Sequence, residues 1–116
     1  MDFSFTPEQE TLRSHLQELL RDACPPQYAE ACDNEARPPR EAYDALAKHG
    51  WFGLVLPAEY GGAGGGPIEL AILLEECGRH FEELGMWVFR TLTYGGYAVV
   101  RVRRASCCGA RDDRRI

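Results

Sequence analysis

The segment that most restricts the fold is "GWFGLVLPAEYGGAGGG", residues 50–66, in which seven glycines and a proline alternate with large apolar side chains. A flexible linker would leave Trp51, Phe52 and the apolar run at 54–56 exposed to water, which linker composition normally avoids. We therefore predict a turn packed between helices. Its glycines would permit close backbone approach or positive φ, Pro57 would set the chain direction, and Tyr60 would anchor the turn.

The same glycines do not form a nucleotide loop. Gly61 and Gly66 have the glycine spacing of a phosphate-binding loop, but Pro67 and Ile68 follow where that loop needs Lys and Ser or Thr. A G-x-G-x-x-G dinucleotide pattern is also absent from the sequence, and no βαβ pattern surrounds the segment. The sequence thus argues against phosphate binding here.

Helical periodicity dominates the chain before this turn. Thr6 is predicted as an N-cap, with Pro7 in the first turn and Gln9 completing a capping box. One apolar stripe then follows at helical spacing: Leu12, Leu16, Leu19, Leu20 and Ala23. The Cys24-Pro25-Pro26 sequence ends this helix. Residues 25–38 are predicted to be a polar connector.

Three more helices are predicted after that connector. The second begins at Pro39 and ends at Gly50, with Tyr43, Leu46 and Ala47 facing inward. The third begins at Pro67 and has a buried stripe of Leu70, Leu73, Leu74, Cys77 and Phe81. We expect Glu69, Glu76 and Arg79 to lie off that stripe, toward water.

The fourth helix is predicted from Met86 to Arg101 and is weakened by Gly95 and Gly96. No pair of alternating strands is present. The predicted class is therefore all-α, a partial bundle of about four helices formed by residues 1–100. Because the apolar stripes lack enough partners within the chain, we expect the isolated bundle to be marginally stable and prone to association.

Charge and cysteine content narrow the class of protein. Residues 1–100 hold 7 basic and 16 acidic residues, a net charge of −9, which argues against a nucleic-acid partner. The five cysteines are an odd number without metal-ligand spacing, as expected for reduced thiols in a cytoplasmic protein. The longest apolar run, residues 86–100, contains Arg90, Thr91 and Thr93 and is too polar and short to span a membrane.

No residue is predicted to be catalytic, and no metal site is predicted. Neighbouring carboxylates at 75–76 and 82–83 diverge on a helix and are expected to be solvated. His15 and His49 have positions typical of structural histidines. Cys77 and His80 lack two further metal ligands, and Ser106 has no positioned base.

The turn also carries a family resemblance. "GWFGLVLPAEYGG", Gly50 to Gly62, resembles the G-[WL]-x-G-L-x-x-P-x-E-Y-G-G signature of the acyl-CoA dehydrogenases. The opening "DFSFTPEQ" is similar to the entry of that family's first helix, "PRE" at 39–41 to the start of its second, and "ELA" and "LEECGR" at 69–79 to its third. The resemblance covers roughly residues 2–100.

The resemblance implies a function as well as a fold. It indicates the N-terminal helical domain of a three-domain enzyme that binds flavin adenine dinucleotide (FAD) between its later domains and takes a proton and a hydride from an acyl-CoA substrate. The catalytic carboxylate usually lies in the C-terminal domain, so this domain is expected to be inactive alone. Homo- or hetero-oligomers of dehydrogenase chains are implied too. A helical binding subunit with a separate flavin-binding partner, and an oxidase or monooxygenase on this scaffold, remain alternatives.

The family's fourth helix lies near the acyl pocket, and this implies candidate pocket residues. Thr93, Gly96, Tyr97 and Val100 follow at spacings of three and four, so a regular helix would place them on one face. Gly96 would leave room for an acyl chain and Tyr97 would bound it. The alternative is that this face only packs on the third helix.

The tail at 101–116 departs from the family pattern. It holds 6 Arg and 2 Asp, a net charge of +4, where the family continues with a Gly-(Ser/Asn)-Glu-x-Gln segment. GC-rich codons for residues 105–108 would encode Glu-Leu-Leu in a shifted frame, and we hypothesise a frameshift near Val102. We expect residues 101–116 to be a disordered, non-native continuation; a genuine basic tail is the alternative.

Overall fold

The computed structural model describes residues 2–103, which form five α-helices and no strand. The all-α prediction is confirmed for this part of the chain. The helices are α1 (Pro7–Ala23), α2 (Pro26–Asn34), α3 (Arg40–Lys48), α4 (Pro67–His80) and α5 (Glu82–Phe89). A π-helical segment, Arg90–Tyr97, extends α5, and helical backbone continues through residues 98–103. Two short 3₁₀ turns, Trp51–Gly53 and Ala58–Tyr60, lie in the glycine-rich segment.

The first helix begins as its sequence predicts. The Gln9 backbone N–H donates to Thr6 Oγ1 over 3.2 Å, and the Gln9 side chain accepts from the Thr6 N–H over 2.9 Å. This reciprocal capping box satisfies two N–H groups that the helix itself leaves unpaired. Leu16 and Leu20 of the predicted stripe are fully buried, and α1 thereby packs its apolar face on the bundle.

One contiguous core joins α1, α3, α4, α5, the π-helical segment and the glycine-rich turn. Its buried members are Leu16, Leu20, Cys24, Ala42, Leu46, Leu54, Val55, Leu73, Cys77, Leu84, Val88 and Leu92. Only Phe81, in an extended conformation, separates α4 from α5. The two helices then pack so closely that a Cβ added at Gly85 would lie 3.0 Å from the Gly78 Cα atom.

Two predicted boundaries were wrong. The connector at 25–38 contains α2, a helix that begins with proline in its first turn, where the missing N–H costs nothing. Tyr28 and Ala29 pack against the core and Cys32 is buried, so tertiary contacts stabilise a segment of weak helical periodicity. The fourth predicted helix starts at Glu82, because Phe81 alone makes the turn from α4.

Two side-chain orientations were also wrong. In α3, Ala42 is fully buried beside Leu46, whereas Ala47 is exposed. In α4, the predicted solvent-facing Glu76 is 1% exposed. Its Oε1 accepts from Arg13 Nε over 2.9 Å and from Gln17 Nε2 over 3.3 Å. The helical pattern predicted an exposed carboxylate at Glu76, so the polar contact between α1 and α4 was not predicted from the sequence.

The Arg13–Glu76 pair leads to a stability prediction. We expect Arg13→Met to lower the urea midpoint of unfolding clearly, because the Glu76 carboxylate would stay buried without its cation. In the wild-type protein Glu76 Oε2 already has no hydrogen-bond partner within residues 2–103. Arg79→Met is the matched control, since the Arg79–Glu75 pair is more than half exposed and such pairs contribute little. Equal midpoint shifts for the two variants would contradict a structural role for the buried pair.

The end of α2 offers a stabilising change. Ala36 has φ +49°, and the Arg37 N–H donates to the Cys32 carbonyl while the Ala36 N–H donates to the Asp33 carbonyl. This helix-ending motif favours glycine at the position of Ala36 because a Cβ is unfavourable at positive φ.

We expect Ala36→Gly to raise the free energy of unfolding by up to about 1 kcal/mol, since left-handed backbone is costly for a residue with a Cβ. Ala71→Gly, on the exposed side of α4, should instead lower it by about 1 kcal/mol through helix propensity. Chemical denaturation of the two variants measures both signs. Destabilisation by Ala36→Gly would rule out strain at this cap.

The described cysteines are unpaired and buried. Burial raises the pKa of the Cys24 thiol to about 11 and that of the Cys77 thiol to about 12, and Cys32 is also buried. Protonated, enclosed thiols of this kind are poor nucleophiles and poor metal ligands. Cys107 and Cys108 lie outside the described residues. Within residues 2–103 no helix is long and apolar enough to cross a membrane.

The predicted tail lies mostly beyond the described part of the chain. Residues 101–103 continue the helix that follows the π-helical segment, whereas the sequence led us to expect a disordered tail from residue 101. Residues 104–116, including Ser106, fall outside the described residues. The domain boundary near residue 100 and the frameshift hypothesis therefore stay predictions.

Candidate functional site

The glycine-rich segment folds back on itself through its own backbone. The N–H groups of Ala63, Gly64 and Gly65 donate to the carbonyls of Gly53, Leu56 and Leu54 over 2.8, 2.9 and 2.7 Å. Three glycines, Gly50, Gly61 and Gly64, have φ of +79°, +81° and +71°. The predicted packed turn is thus present, with glycine needed for positive φ and for close backbone approach, but Tyr60, predicted to anchor it, is 42% exposed.

The start of α4 follows these glycines but does not present a phosphate site. The Glu69 carboxylate accepts from the Gly66 N–H over 3.0 Å and from Gln9 Nε2 over 3.4 Å. Hydrogen bonds from its own backbone N–H, from Gln9 and from Gly66 keep the pKa of Glu69 below its ordinary value. A carboxylate at the helix N-terminus occupies the place a phosphate would take and repels it.

A cavity of about 510 Å³ lies between the turn and the last helix. Its size is within the range of small-molecule pockets in proteins. The turn and the last helix both contribute to the lining: Val55, Leu56, Pro57, Gly64 and Gly65 come from the first, and Tyr97, Val100 and Arg101 from the second. Apart from Arg101 and the Tyr97 hydroxyl, this lining presents hydrocarbon and backbone.

The four residues predicted for a pocket do not share one environment. Tyr97 and Val100 line the cavity. Gly96 lies against the turn, because a Cβ added there would be 3.3 Å from Leu56 Cδ2. Thr93 is absent from the lining, and its buried Oγ1 has no hydrogen-bond partner within residues 2–103.

The cause of this separation is the π-helical segment Arg90–Tyr97. Its wider turn, with i→i+5 hydrogen bonding, rotates Thr93 away from the positions that a spacing of three and four would align in an α-helix. Leu56 and Pro57 were missed as lining residues because they belong to the turn, although both lie inside the recognised signature. Arg101 was missed because the arginine-rich composition of residues 101–116 led us to assign it to the basic tail.

A polar contact joins α3 to the π-helical segment. Tyr43 Oη and Thr91 Oγ1 are 2.8 Å apart, and Thr91 Oγ1 donates to the Trp87 carbonyl over 2.9 Å. The Tyr43 ring also packs on Phe52 and, edge-on, on Trp87 with centroid distances of 4.6 and 5.5 Å. These contacts hold the entry of the π-helical segment against α3 and the turn, and so help to position the cavity's helical wall.

Other cavities carry less organised chemistry. One of about 630 Å³ lies between the end of α2 and the start of α5. A shallower one is lined by His15, His49 and Trp51 with acidic neighbours from α1. No group of His, Cys, Asp or Glu within residues 2–103 could hold a metal ion. His80 Nδ1 lies 2.9 Å from the Glu76 carbonyl, which gives that histidine a structural contact beside buried Cys77.

Sequence comparison gives a consistent set of similar proteins. Residues 6–102 match the family model described as "Acyl-CoA dehydrogenase, N-terminal domain". An acryloyl-CoA reductase (NADH) of Anaerotignum propionicum is 38% identical over 79 residues, 68% of this chain and 20% of the relative. The short-chain specific acyl-CoA dehydrogenase of Clostridium acetobutylicum is 35% identical over 79 residues, 68% of this chain and 21% of that enzyme.

A probable acyl-CoA dehydrogenase of Escherichia coli K12, YdiO, is 44% identical over 62 residues, 53% of this chain and 16% of the relative. The chain thus spans about a fifth of the length of the curated relatives it matches. No solved structure matches it significantly. The family match at residues 6–102 includes both walls of the cavity, which are the glycine-rich turn and the helix that follows the π-helical segment.

Proposed function

Because this chain belongs to the acyl-CoA dehydrogenase family, whose N-terminal domain matches residues 6–102, we propose that it provides the helical scaffold and one wall of the acyl pocket in a flavin-dependent oxidoreductase acting on acyl-CoA thioesters. The observation that carries the proposal is the cavity between the signature turn and the last helix. Its mostly apolar lining suits a saturated acyl chain, because moving such a chain out of water is favourable and the chain forms no hydrogen bonds.

The start of α4 does not fit the pyrophosphate of FAD. A flavin dinucleotide needs donors for its pyrophosphate, yet the helix start after the glycines is already capped by Glu69. In our proposal, FAD is bound, and the proton-abstracting carboxylate supplied, by parts of the enzyme other than residues 2–103. FAD would accept the hydride from the substrate; this domain would bind and orient the acyl chain and exclude water from it.

The direction of the reaction is a separate part of the proposal. The relatives include two enzymes named reductases, for acryloyl-CoA and for 3-(aryl)acrylates, as well as enzymes named dehydrogenases. We favour α,β-dehydrogenation, with reduction of an unsaturated acyl group as the second candidate. An oxidase or monooxygenase on the same scaffold, or a helical subunit beside a separate flavin-binding chain, is the further alternative.

A hybrid enzyme tests the proposal. Residues 1–100 of this chain would replace the matching segment of the short-chain specific dehydrogenase of Clostridium acetobutylicum, which it resembles at 35% identity. We expect the hybrid to be yellow from bound flavin and to reduce an electron acceptor when given an acyl-CoA. The parent enzyme is the positive control.

The 116-residue chain mixed with FAD and the same acyl-CoA serves as the comparison for the scaffold role. We expect no acceptor reduction from this mixture. A hybrid that folds and holds flavin but fails with every acyl-CoA tested would refute the acyl-pocket proposal. Turnover by the 116-residue chain with added FAD would refute the claim that it acts only as a scaffold.

Location and assembly follow from the same proposal. The family implies association of several dehydrogenase chains, and we propose that this domain acts within such an oligomer. The buried, unpaired thiols of Cys24, Cys32 and Cys77 suit a reducing compartment, and we propose the cytoplasm.

A further inference from the structure

Among residues 2–103, Arg101 is the one charged residue that lines the 510 Å³ cavity. It follows Val100 and lies one turn beyond Tyr97, so the guanidinium belongs to the helical wall. It forms no ion pair with any of residues 2–103, a property it shares with Arg21, Arg90 and Arg103. The cavity lining therefore combines apolar side chains and glycine backbone with a cation that has no carboxylate partner in the described part of the chain.

The surrounding charge makes this cation distinctive. Residues 1–100 carry a net charge of −9, which would discourage an anionic ligand at most places on the domain. At this cavity the charge that the described residues contribute to the lining is positive. A guanidinium recognises carboxylates and phosphates through paired hydrogen bonds, and Arg101 is exposed, so its guanidinium is accessible to a ligand in the cavity.

We propose that Arg101 selects acyl groups that carry a carboxylate, with the chain lying along Leu56, Tyr97 and Val100 and the carboxylate at the guanidinium. This inference rests on the proposed acyl-binding function and narrows its substrate class to carboxyl-bearing acyl groups. The phosphates of coenzyme A offer the same anionic chemistry, so the experiment must separate the two sources.

Ligand binding to the 116-residue chain tests the proposal without flavin or turnover. Octanoate and its neutral isostere octanamide are titrated while the backbone amide signals of Gly64, Gly65 and Tyr97 are followed by NMR. We expect octanoate to shift these signals with a Kd at least about tenfold lower than that of octanamide, the advantage of a charge-assisted hydrogen bond. Equal affinities, or shifts confined to other residues, would overturn the proposal.

Two variants assign the preference to one side chain. Arg101→Gln should remove the advantage of octanoate, whereas Arg103→Gln should keep it, because Arg103 is exposed like Arg101 and lies on the same helix but does not line the cavity. Both variants lose one positive charge, so a general electrostatic effect would weaken octanoate equally in the two. That outcome would reject Arg101 as the selective residue.

Coenzyme A without an acyl group separates the two anions. One outcome is that coenzyme A shifts the same three amide signals, and loses this effect in Arg101→Gln, while octanoate causes no such shift. In that case Arg101 binds phosphate, and the carboxylate assignment is overturned. If only octanoate does so, the assignment stands. The binding assay does not measure catalysis, so a negative result would not refute the acyl-CoA proposal. Equally, an inactive hybrid enzyme would not change the binding result for Arg101.

Discussion

Replacing Gly62 by alanine is expected to disrupt the signature turn. A Cβ at this position would lie 2.1 Å from the Leu56 carbonyl oxygen and 2.5 Å from its carbon, both backbone atoms that cannot move aside alone. The loss should be at the upper end of the ~1–3 kcal/mol that overpacking costs, a large share of a small domain's stability. Leu56 also lines the cavity, so the variant should perturb that wall. Urea denaturation and the NMR spectrum of the turn measure both effects.

Gly61 provides the matched control, because it is the neighbouring glycine and is required for a different reason. Its φ is +81°, and no atom lies within 4 Å of an added Cβ. Gly61→Ala should cost about 1–2 kcal/mol from left-handed strain, and Gly61→Asn less, since asparagine tolerates this conformation. Gly62→Asn should be no milder than Gly62→Ala because the obstacle is steric. If asparagine rescued both positions alike, backbone conformation and not close approach would explain Gly62.

The second large effect concerns substrate length and is measured in the hybrid enzyme. Gly96 lies against Leu56, and a leucine at this position would push into the space shared by the turn and the last helix. If the cavity holds the acyl chain, Gly96→Leu should lower kcat/KM for long acyl-CoA substrates by roughly 10–150-fold, about 1–3 kcal/mol, and affect short ones less. Steady-state kinetics with thioesters of increasing length measures this difference.

Leu56→Ala offers the reciprocal test of the same wall. Removing this side chain enlarges the cavity, so the relative kcat/KM for longer acyl groups should rise even if overall stability falls. Opposite changes in length preference for Gly96→Leu and Leu56→Ala would support the acyl-pocket proposal. Equal losses at every length in both variants would show that the two residues only pack the turn against the helix.

Thr93 was predicted as a pocket residue, but the structure places it outside the cavity lining. Spacing put it on one face with the other predicted pocket residues, but the π-helical segment separates it from the cavity lining and leaves its buried hydroxyl without a partner in the described residues. Such segments are frequent at functional sites. Thr93→Val conserves shape and removes only the hydroxyl. We expect it to leave length preference unchanged, because Thr93 does not line the cavity.

Local sequence signals were sufficient wherever the deciding interactions are local. The capping box of Thr6 and Gln9 and the starts of α1 and α4 at proline depend on residues within one helical turn of each other. The helical class follows from apolar periodicity that residues such as Leu16 and Leu20 display along the chain. The packed glycine turn was predictable because few other structures accommodate seven glycines among large apolar side chains.

Only the tertiary structure decided the features that depend on distant partners. Glu76 is buried because Arg13 and Gln17, about 60 positions away, approach it across the α1–α4 interface. The helix at Pro26–Asn34 is present because Tyr28 and Ala29 find the core. The π-helical segment and the approach of Arg101 to the turn set the cavity lining. Periodicity describes one chain segment at a time, whereas burial and a site's composition depend on which segments meet.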